Sequence, residues 1–427
     1  MRRVALLIAL VPLLCGCVYI FKPSDMVYEL ADELYAGKVY YLKIGFKNSL
    51  GFLMSYITIK VDTVEYKTDD YGYATIPIYY EEVGTKELKI EYGSMTKTLQ
   101  ISIKKPSWLV FLWLASDNNL DRFVDGDFQE MAKAAEDIST IVVWDSSDPS
   151  RDGIYALTND SKMVKIEKTN ELNSGDGTLF REYTKRFSEI DSDYKALIIW
   201  NHGLSWIDVT PESYRVKGIA YDDQSKDFLK ISEIAQNVTG KWDVLGMDAC
   251  LMGSVEVIYA LREIADYIVA SAYEIQGTGW DYSFLSRMSG KDPFEFCKEL
   301  VDYYREFYKN NFETSLAVYK TDAIDDAIDS FEEFLMTPPV LQNSRWTNYS
   351  QTYCLYDLGE VLETLGATET LEKFDKVVVY KHLSNAKSQS LATSIFVCQD
   401  RNKIDTLEYA STEFAQNTSW DEFLLNQ

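Results

Sequence analysis

The apolar and polar positions of this chain follow two rhythms that change near residue 105. From residue 24 to about 105 they alternate, as in Val39–Phe46, Tyr56–Val61, Ala74–Tyr79 and Leu88–Tyr92, with turn signals such as Asp69-Asp-Tyr-Gly72 between them. A period of two puts one face of a strand inward and the other outward, so these runs predict short strands of a small all-β domain. After Lys104-Lys-Pro106 the apolar runs become continuous: Trp108–Ala115, Thr140–Trp144, Lys195–Trp200, Val244–Met247, Tyr267–Ser271 and Ser315–Tyr319. A strand covered on both faces has no polar side, which is the pattern of a buried sheet. Segments with apolar residues three or four apart, such as Met252–Ile264 and Phe294–Tyr308, predict helices between several of these strands. Strand-then-helix alternation predicts an α/β domain over 106–427, a mainly parallel sheet sandwiched by helices. Val377–Tyr380 and Ser394–Val397 are expected to extend that sheet. The strand spacing of 24–105 suits an immunoglobulin-like sandwich. No chemistry is visible there, so we expect a spacer or binding module.

The first residues have a different purpose. Met1-Arg-Arg3 is a basic start, Val4–Leu14 is apolar but short, and Leu14-Cys-Gly-Cys17 has the form of a bacterial lipobox. We therefore expect a signal peptide over 1–16, lipidation at Cys17, a tether over 17–23 and an exported, membrane-anchored chain. No later run of about 20 apolar residues is present to span a bilayer. The net charge of −25 argues against nucleic acid and anionic membrane surfaces as electrostatic partners, and favours basic peptides. Cys250, Cys297, Cys354 and Cys398 are widely spaced, without close pairs of the metal-binding kind, and we expect free thiols in place of a disulfide framework.

Candidate chemistry is concentrated at two strand ends. Asn201-His202-Gly203 follows Ala196–Trp200, and Asp248-Ala249-Cys250 follows Val244–Met247. Open α/β sheets place their active sites past the carboxyl ends of strands. The chain has only two histidines, His202 and His382, and no motif surrounds His382. A thiol is mostly protonated at neutral pH and needs a neighbouring base, so His202 and Cys250 form a candidate nucleophilic dyad. Gly203 and Ala249 are small enough to let a substrate backbone approach.

The surrounding stretches are Trp113-Leu-Ala-Ser-Asp-Asn-Asn-Leu120, Trp200-Asn-His-Gly203, Met247-Asp-Ala-Cys-Leu-Met-Gly-Ser-Val-Glu256, and Val269–Glu274 running into Gly279-Trp-Asp-Tyr282. Together they resemble the clostripain family of cysteine peptidases, relatives of caspases, legumain and gingipain, over roughly residues 106–427. The resemblance implies a caspase-like fold, His202 as general base and acid, Cys250 as nucleophile, and the amides of Gly203 and Cys250 as the oxyanion hole. It also implies endopeptidase cleavage after Arg, or Arg and Lys, with Asp248 lining the S1 pocket. Asp281 and Glu274 are candidates for a second S1 acid. A buried carboxylate facing a guanidinium makes charge-assisted hydrogen bonds, so that specificity is physically coherent.

The resemblance further implies self-cleavage between His202 and Cys250, where Lys217 and Arg215 are the candidate sites in the turn-rich stretch Pro211–Gly218. No cofactor is required by the dyad. Some relatives use calcium, for which Asp222 and Asp223, or Asp325 and Asp326, are candidate ligands, although calcium needs six to eight converging oxygens. The competing expectation is a surface lipoprotein whose peptidase-like domain binds peptides or a protein partner without cutting them. The intact His202-Gly203 and Asp248-Ala249-Cys250 motifs argue against it.

Overall fold

A computed structural model describes residues 22–208, 218–310, 313–337, 340–341 and 345–426. The chain divides into two compact units, with the boundary between Lys105 and Pro106. The first is all-β. Strands Pro23–Glu29, Tyr40–Asn48 and Tyr73–Ile78 form one antiparallel sheet. A second sheet has the order Leu34–Tyr35, Met95–Lys104, Gly84–Tyr92, Thr58–Val61, Val64–Lys67. Alternation along the strands fills the interior with Leu42, Ile44, Phe46, Ile59, Val61, Ile76, Ile90, Ile101 and Ile103. The sheets meet through Phe46 and Tyr92, whose ring centroids are 5.2 Å apart.

The second unit is built on one nine-stranded sheet. Across it the strands are Met163–Lys168, Gly153–Leu157, Ile138–Ser146, Trp108–Ser116, Tyr194–Trp200, Trp242–Asp248, Ala265–Ala270, Ser315–Lys320 and Val378–Leu383. The five strands from Ile138–Ser146 to Ala265–Ala270 pair in parallel, and the pairs at both edges are antiparallel. The sheet is therefore mixed, not mainly parallel. One antiparallel edge comes from Gly153–Leu157 and Met163–Lys168, short strands whose apolar runs are too brief to stand out in the sequence. Val378–Leu383 joins the sheet, whereas Ser394–Phe396 pairs with Leu355–Asp357 in a separate three-stranded sheet.

Every residue of Trp108–Ser116 is buried, because helices cover both of its faces. Trp108, Val110, Leu112 and Leu114 share a core with Phe296, Leu300, Val301 and Tyr304 of helix Pro293–Phe307. The alternate residues Phe111 and Trp113 meet Phe187 and Phe180 of helix Gly177–Ser188. Helix Pro293–Phe307 begins where expected, with Asp292 as cap, Pro293 in the first turn and Glu295 closing a capping box. The segment predicted as helical over 252–264 is helical only over Val255–Ala260. Gly253 has to lie against the backbone of Ser271 and Ala272, and the Ser254 side chain caps the helix by accepting from the Val257 amide.

The four described cysteines are free thiols. Cys354 and Cys398 lie close enough to interact, and Cys398 lies two residues past strand Ser394–Phe396. Among the described residues, no helix is long and apolar enough to cross a membrane.

Candidate active site

Trp108–Ser116, Tyr194–Trp200, Trp242–Asp248 and Ala265–Ala270 are neighbours and run parallel. Their carboxyl ends therefore open on one edge of the sheet, where a crevice forms. Trp200 is in register with Asp248, and His202 and Cys250 each lie two residues beyond that pair. Both side chains line a cleft of about 570 Å³ together with Asn119, Gly203, Asp248 and Glu274. A β-carbon on Gly203 would stand 2.5 Å from the Cys250 carbonyl oxygen and 2.9 Å from the Ala249 β-carbon. The two loops thus touch backbone to backbone, and only glycine fits between them. Beyond the cysteine, Leu251 takes a left-handed backbone (φ 62°), and its amide donates to the Tyr273 carbonyl at 3.1 Å.

His202 Nε2 lies 2.9 Å from Asn119 Oδ1. A carbonyl oxygen only accepts, so this contact keeps the proton on Nε2 and leaves the Nδ1 lone pair to act as base. Burial holds the imidazole pKa below its usual value, against the opposing charge of Asp223. Burial also pushes the Cys250 thiol up to about 11; the Ile275 backbone opposes that rise, and the charges of Glu274 and Asp248 add to it. The Ile275 amide donates to Sγ at 3.3 Å. The resting pair is therefore a thiol beside a neutral imidazole, and the proton has to leave sulfur as the bond to substrate forms.

Asp248 forms a buried acidic end to the cleft. Its Oδ2 accepts from the Trp280 amide at 2.9 Å and from the Tyr282 hydroxyl at 3.0 Å, while Oδ1 is buried without a partner. Gly279 makes this possible: its φ is +62°, and a β-carbon there would lie 2.7 Å from Oδ2. Burial without a cationic partner raises the Asp248 pKa to about 7.

The sequence pattern of the clostripain family matches residues 112–426. The chain belongs to the clostripain family. The match includes His202, Asp248 and Cys250. Clostripain from Hathewaya histolytica is 28% identical over 214 residues, a stretch that spans 40% of this chain and 40% of that protein. Two solved structures share the fold. A secreted C11 cysteine protease from Bacteroides thetaiotaomicron, in complex with an irreversible peptide inhibitor, has a TM-score of 0.63 at 20% identity, covering 74% of this chain and 100% of its own. An inactive zymogen C11 protease from Parabacteroides distasonis has a TM-score of 0.58 at 19% identity, covering 74% and 99%.

In this clostripain-family domain, several site residues could not be identified from the sequence. Asn119 lies within the Trp113–Leu120 stretch, but its role depends on the sheet bringing it to His202. Asp127 and Glu130 lie three residues apart on helix Val124–Met131, a spacing that puts both on one face. Burial, with the Asp248 charge adding to it, raises Asp127 to about 9. Burial likewise raises Glu130, which accepts from the Tyr282 amide at 3.0 Å, to about 7. Acids on the inward side of an amphipathic helix were the available signal.

Other expectations resolve differently. Glu274 lines the cleft beside the nucleophile and is exposed. Asp281 instead caps the 3-10 turn Tyr282–Arg287, accepting from the Ser283 amide at 2.9 Å. Asp325 pairs with Arg262 at 2.8 Å, and Asp223 with Lys226 at 3.5 Å, so neither adjacent pair of acids converges on one point. His382 is structural, 3.0 Å from the Thr314 hydroxyl. Arg215, Lys217 and Cys17 lie outside the described residues.

Proposed function

We propose that this chain is a cysteine endopeptidase that cleaves after Arg or Lys. The observation that carries the reading is the meeting of His202, Cys250 and the half-unpaired Asp248 in one cleft. As Cys250 Sγ attacks the scissile carbonyl carbon, its proton passes to His202 Nδ1, and the carbonyl oxygen becomes an oxyanion held by the amides of Gly203 and Cys250. The tetrahedral adduct collapses, His202 gives its proton to the leaving amine, and a thioester remains. Water, deprotonated by His202, then releases the acyl group. Asp248 Oδ1 takes the guanidinium or ammonium of the substrate as a charge-assisted hydrogen bond. Asn119 keeps the imidazole in the tautomer that this sequence of transfers requires.

The same preference makes Lys217 and Arg215, which lie between His202 and Cys250 in the sequence, the sites of self-cleavage. Export follows from the basic and apolar start of the chain, with Cys17 as the acylated anchor. The first unit is an immunoglobulin-like sandwich that serves as a spacer or binding module. Peptides and proteins with basic residues are the expected partners.

Incubation with a peptide chloromethyl ketone ending in Arg or Lys tests the reading. The expected result is one adduct, located at Cys250 by peptide mass mapping, which an Asp-terminated analogue does not give. Labelling elsewhere, or equal labelling by both reagents, would contradict it.

A further inference from the structure

The first unit carries a surface that the peptidase chemistry does not use. Leu50 is 61% exposed, Phe52 68%, Tyr56 61% and Tyr71 80%. Leu50, Phe52 and Tyr56 lie between strands Tyr40–Asn48 and Thr58–Val61, and Tyr71 lies just before Tyr73–Ile78. The two loops touch: the Tyr56 hydroxyl donates to Asp70 Oδ1, and a β-carbon on Gly72 would stand 2.7 Å from that of Leu53. Single exposed apolar residues are ordinary, but four large ones on adjoining loops mark an interaction surface.

The backbone of these loops is prepared to leave water. Asn48 Oδ1 accepts from the amides of Leu50 at 2.9 Å and Phe52 at 3.1 Å, and the Gly51 amide donates to the Asn48 carbonyl at 2.9 Å. In the second loop Asp69 Oδ1 accepts from the amides of Tyr71 and Tyr73, each at 2.9 Å, and the Asp69 carbonyl accepts from Gly72 at 3.1 Å. Amides already paired within their own turn enter an apolar medium without the cost of an unmet donor.

The surface also lies where the chain enters the unit. Pro23 is in register with Asn48, and Ser24 Oγ donates to the carbonyls of Lys47 and Asn48. Residues 18–22 separate this point from Cys17, a reach of at most about 20 Å. The chain leaves from the other end: the turn at Gly93 lies against Pro23, and strand Met95–Lys104 runs away from it. Residues 22–105 hold 11 Lys and 12 Asp or Glu, so the net charge of −25 lies almost wholly beyond residue 105 and does not repel this unit from a lipid surface.

We infer that Leu50, Phe52, Tyr56 and Tyr71 enter the interfacial layer of the bilayer that holds the acylated Cys17, an inference that rests on the anchor reading above. Leu50 and Phe52 reach the acyl boundary, while the tyrosines keep their hydroxyls at headgroup level. The short tether holds the surface at high effective concentration beside the membrane, so a contact that is weak on its own is occupied and fixes which end of the unit faces the lipid. The attraction is apolar, so zwitterionic lipid suffices.

The test uses the chain from residue 17 onward carrying Cys17→Ser, which has no acyl chain and binds only through the surface. It should sediment with phosphatidylcholine vesicles at millimolar lipid, and added salt should leave that binding unchanged. Leu50→Ser with Phe52→Ser should lower the partition coefficient at least tenfold with Tm unchanged, because both side chains are exposed. Val83→Ser, 38% exposed in the turn before Gly84, which pairs with Ile103 at the opposite end, should bind as the parent does. No sedimentation, or undiminished sedimentation of the double variant, would overturn the inference. A dimer that the double variant breaks, without vesicle binding, would give the surface to a second copy and overturn it equally. The mass of the Cys17 peptide from the exported full chain tests the anchor separately: a bare Cys17 beside intact vesicle binding would overturn the anchor and not the surface.

Discussion

At the scale of single residues, the site works by what is left unsatisfied. Asp248 offers one bound oxygen and one bare oxygen, and His202 has one nitrogen committed to Asn119 and one available. Removing the amide with Asn119→Ala should lower kcat about 10- to 100-fold with little change in KM, because the imidazole loses its orientation and not its substrate contacts. Steady-state kinetics check this. Asp248→Asn should lower kcat/KM for Arg and Lys substrates by about a hundredfold or more. The pH dependence separates the two roles. A raised carboxyl pKa of about 7 means that free enzyme loses the anion, and with it the basic substrate, as pH falls through 7. The acid limb of kcat/KM should therefore lie near 7. A bound guanidinium keeps Asp248 ionised, so the limb of kcat reports His202, whose lowered pKa puts it below 6.5. Coincident limbs in kcat and kcat/KM would contradict this division.

At the scale of elements, the register of two parallel strands does the positioning. Trp200 opposite Asp248 brings the His202 and Cys250 loops together, and Gly203 allows contact at backbone distance. Gly203→Ala should cut kcat/KM by about a hundredfold while costing only about 1–3 kcal/mol of stability in denaturant unfolding. The core strands, and the placement of His202 and Cys250 at their ends, were legible in the sequence because continuous apolar runs end there. Gly153–Leu157 and Met163–Lys168 were not: the first is only five residues long, and the second is an edge strand that carries Lys165, Glu167 and Lys168. Asn119, which lines the cleft, and Asp127 and Glu130, which interact electrostatically with Asp248, were hidden for another reason: ordinary polar residues acquire a role only when folding brings distant elements together. Asp281 was offered as a second S1 acid by resemblance alone, and the structure gives it the role of a cap, which an acid just before a helical turn also fits.

At the scale of the whole molecule, an acidic chain concentrates unpaired carboxylates in its interior. Burial, with neighbouring acids adding to it, raises Asp117 to about 7, Asp145 to about 8 and Asp127 to about 9, all from 3.8. Groups with raised acid pKa values bind more protons folded than unfolded, so their stabilising contribution is complete below about pH 4 and is lost as pH rises towards 9. The protein should therefore show a Tm that falls between pH 5 and 9. Scanning calorimetry across pH checks this. A Tm that climbs with pH would contradict the assignment of these acids as uncompensated.

The most direct test of the central claim is hydrolysis of fluorogenic peptides carrying Arg, Lys, Asn or Asp at P1, with reducing agent and calcium present and after limited tryptic nicking between residues 203 and 247, beside the Cys250→Ala chain. The account predicts turnover of the Arg or Lys peptides alone, and its disappearance in the variant. Turnover surviving Cys250→Ala, or no cleavage of any peptide, would contradict it.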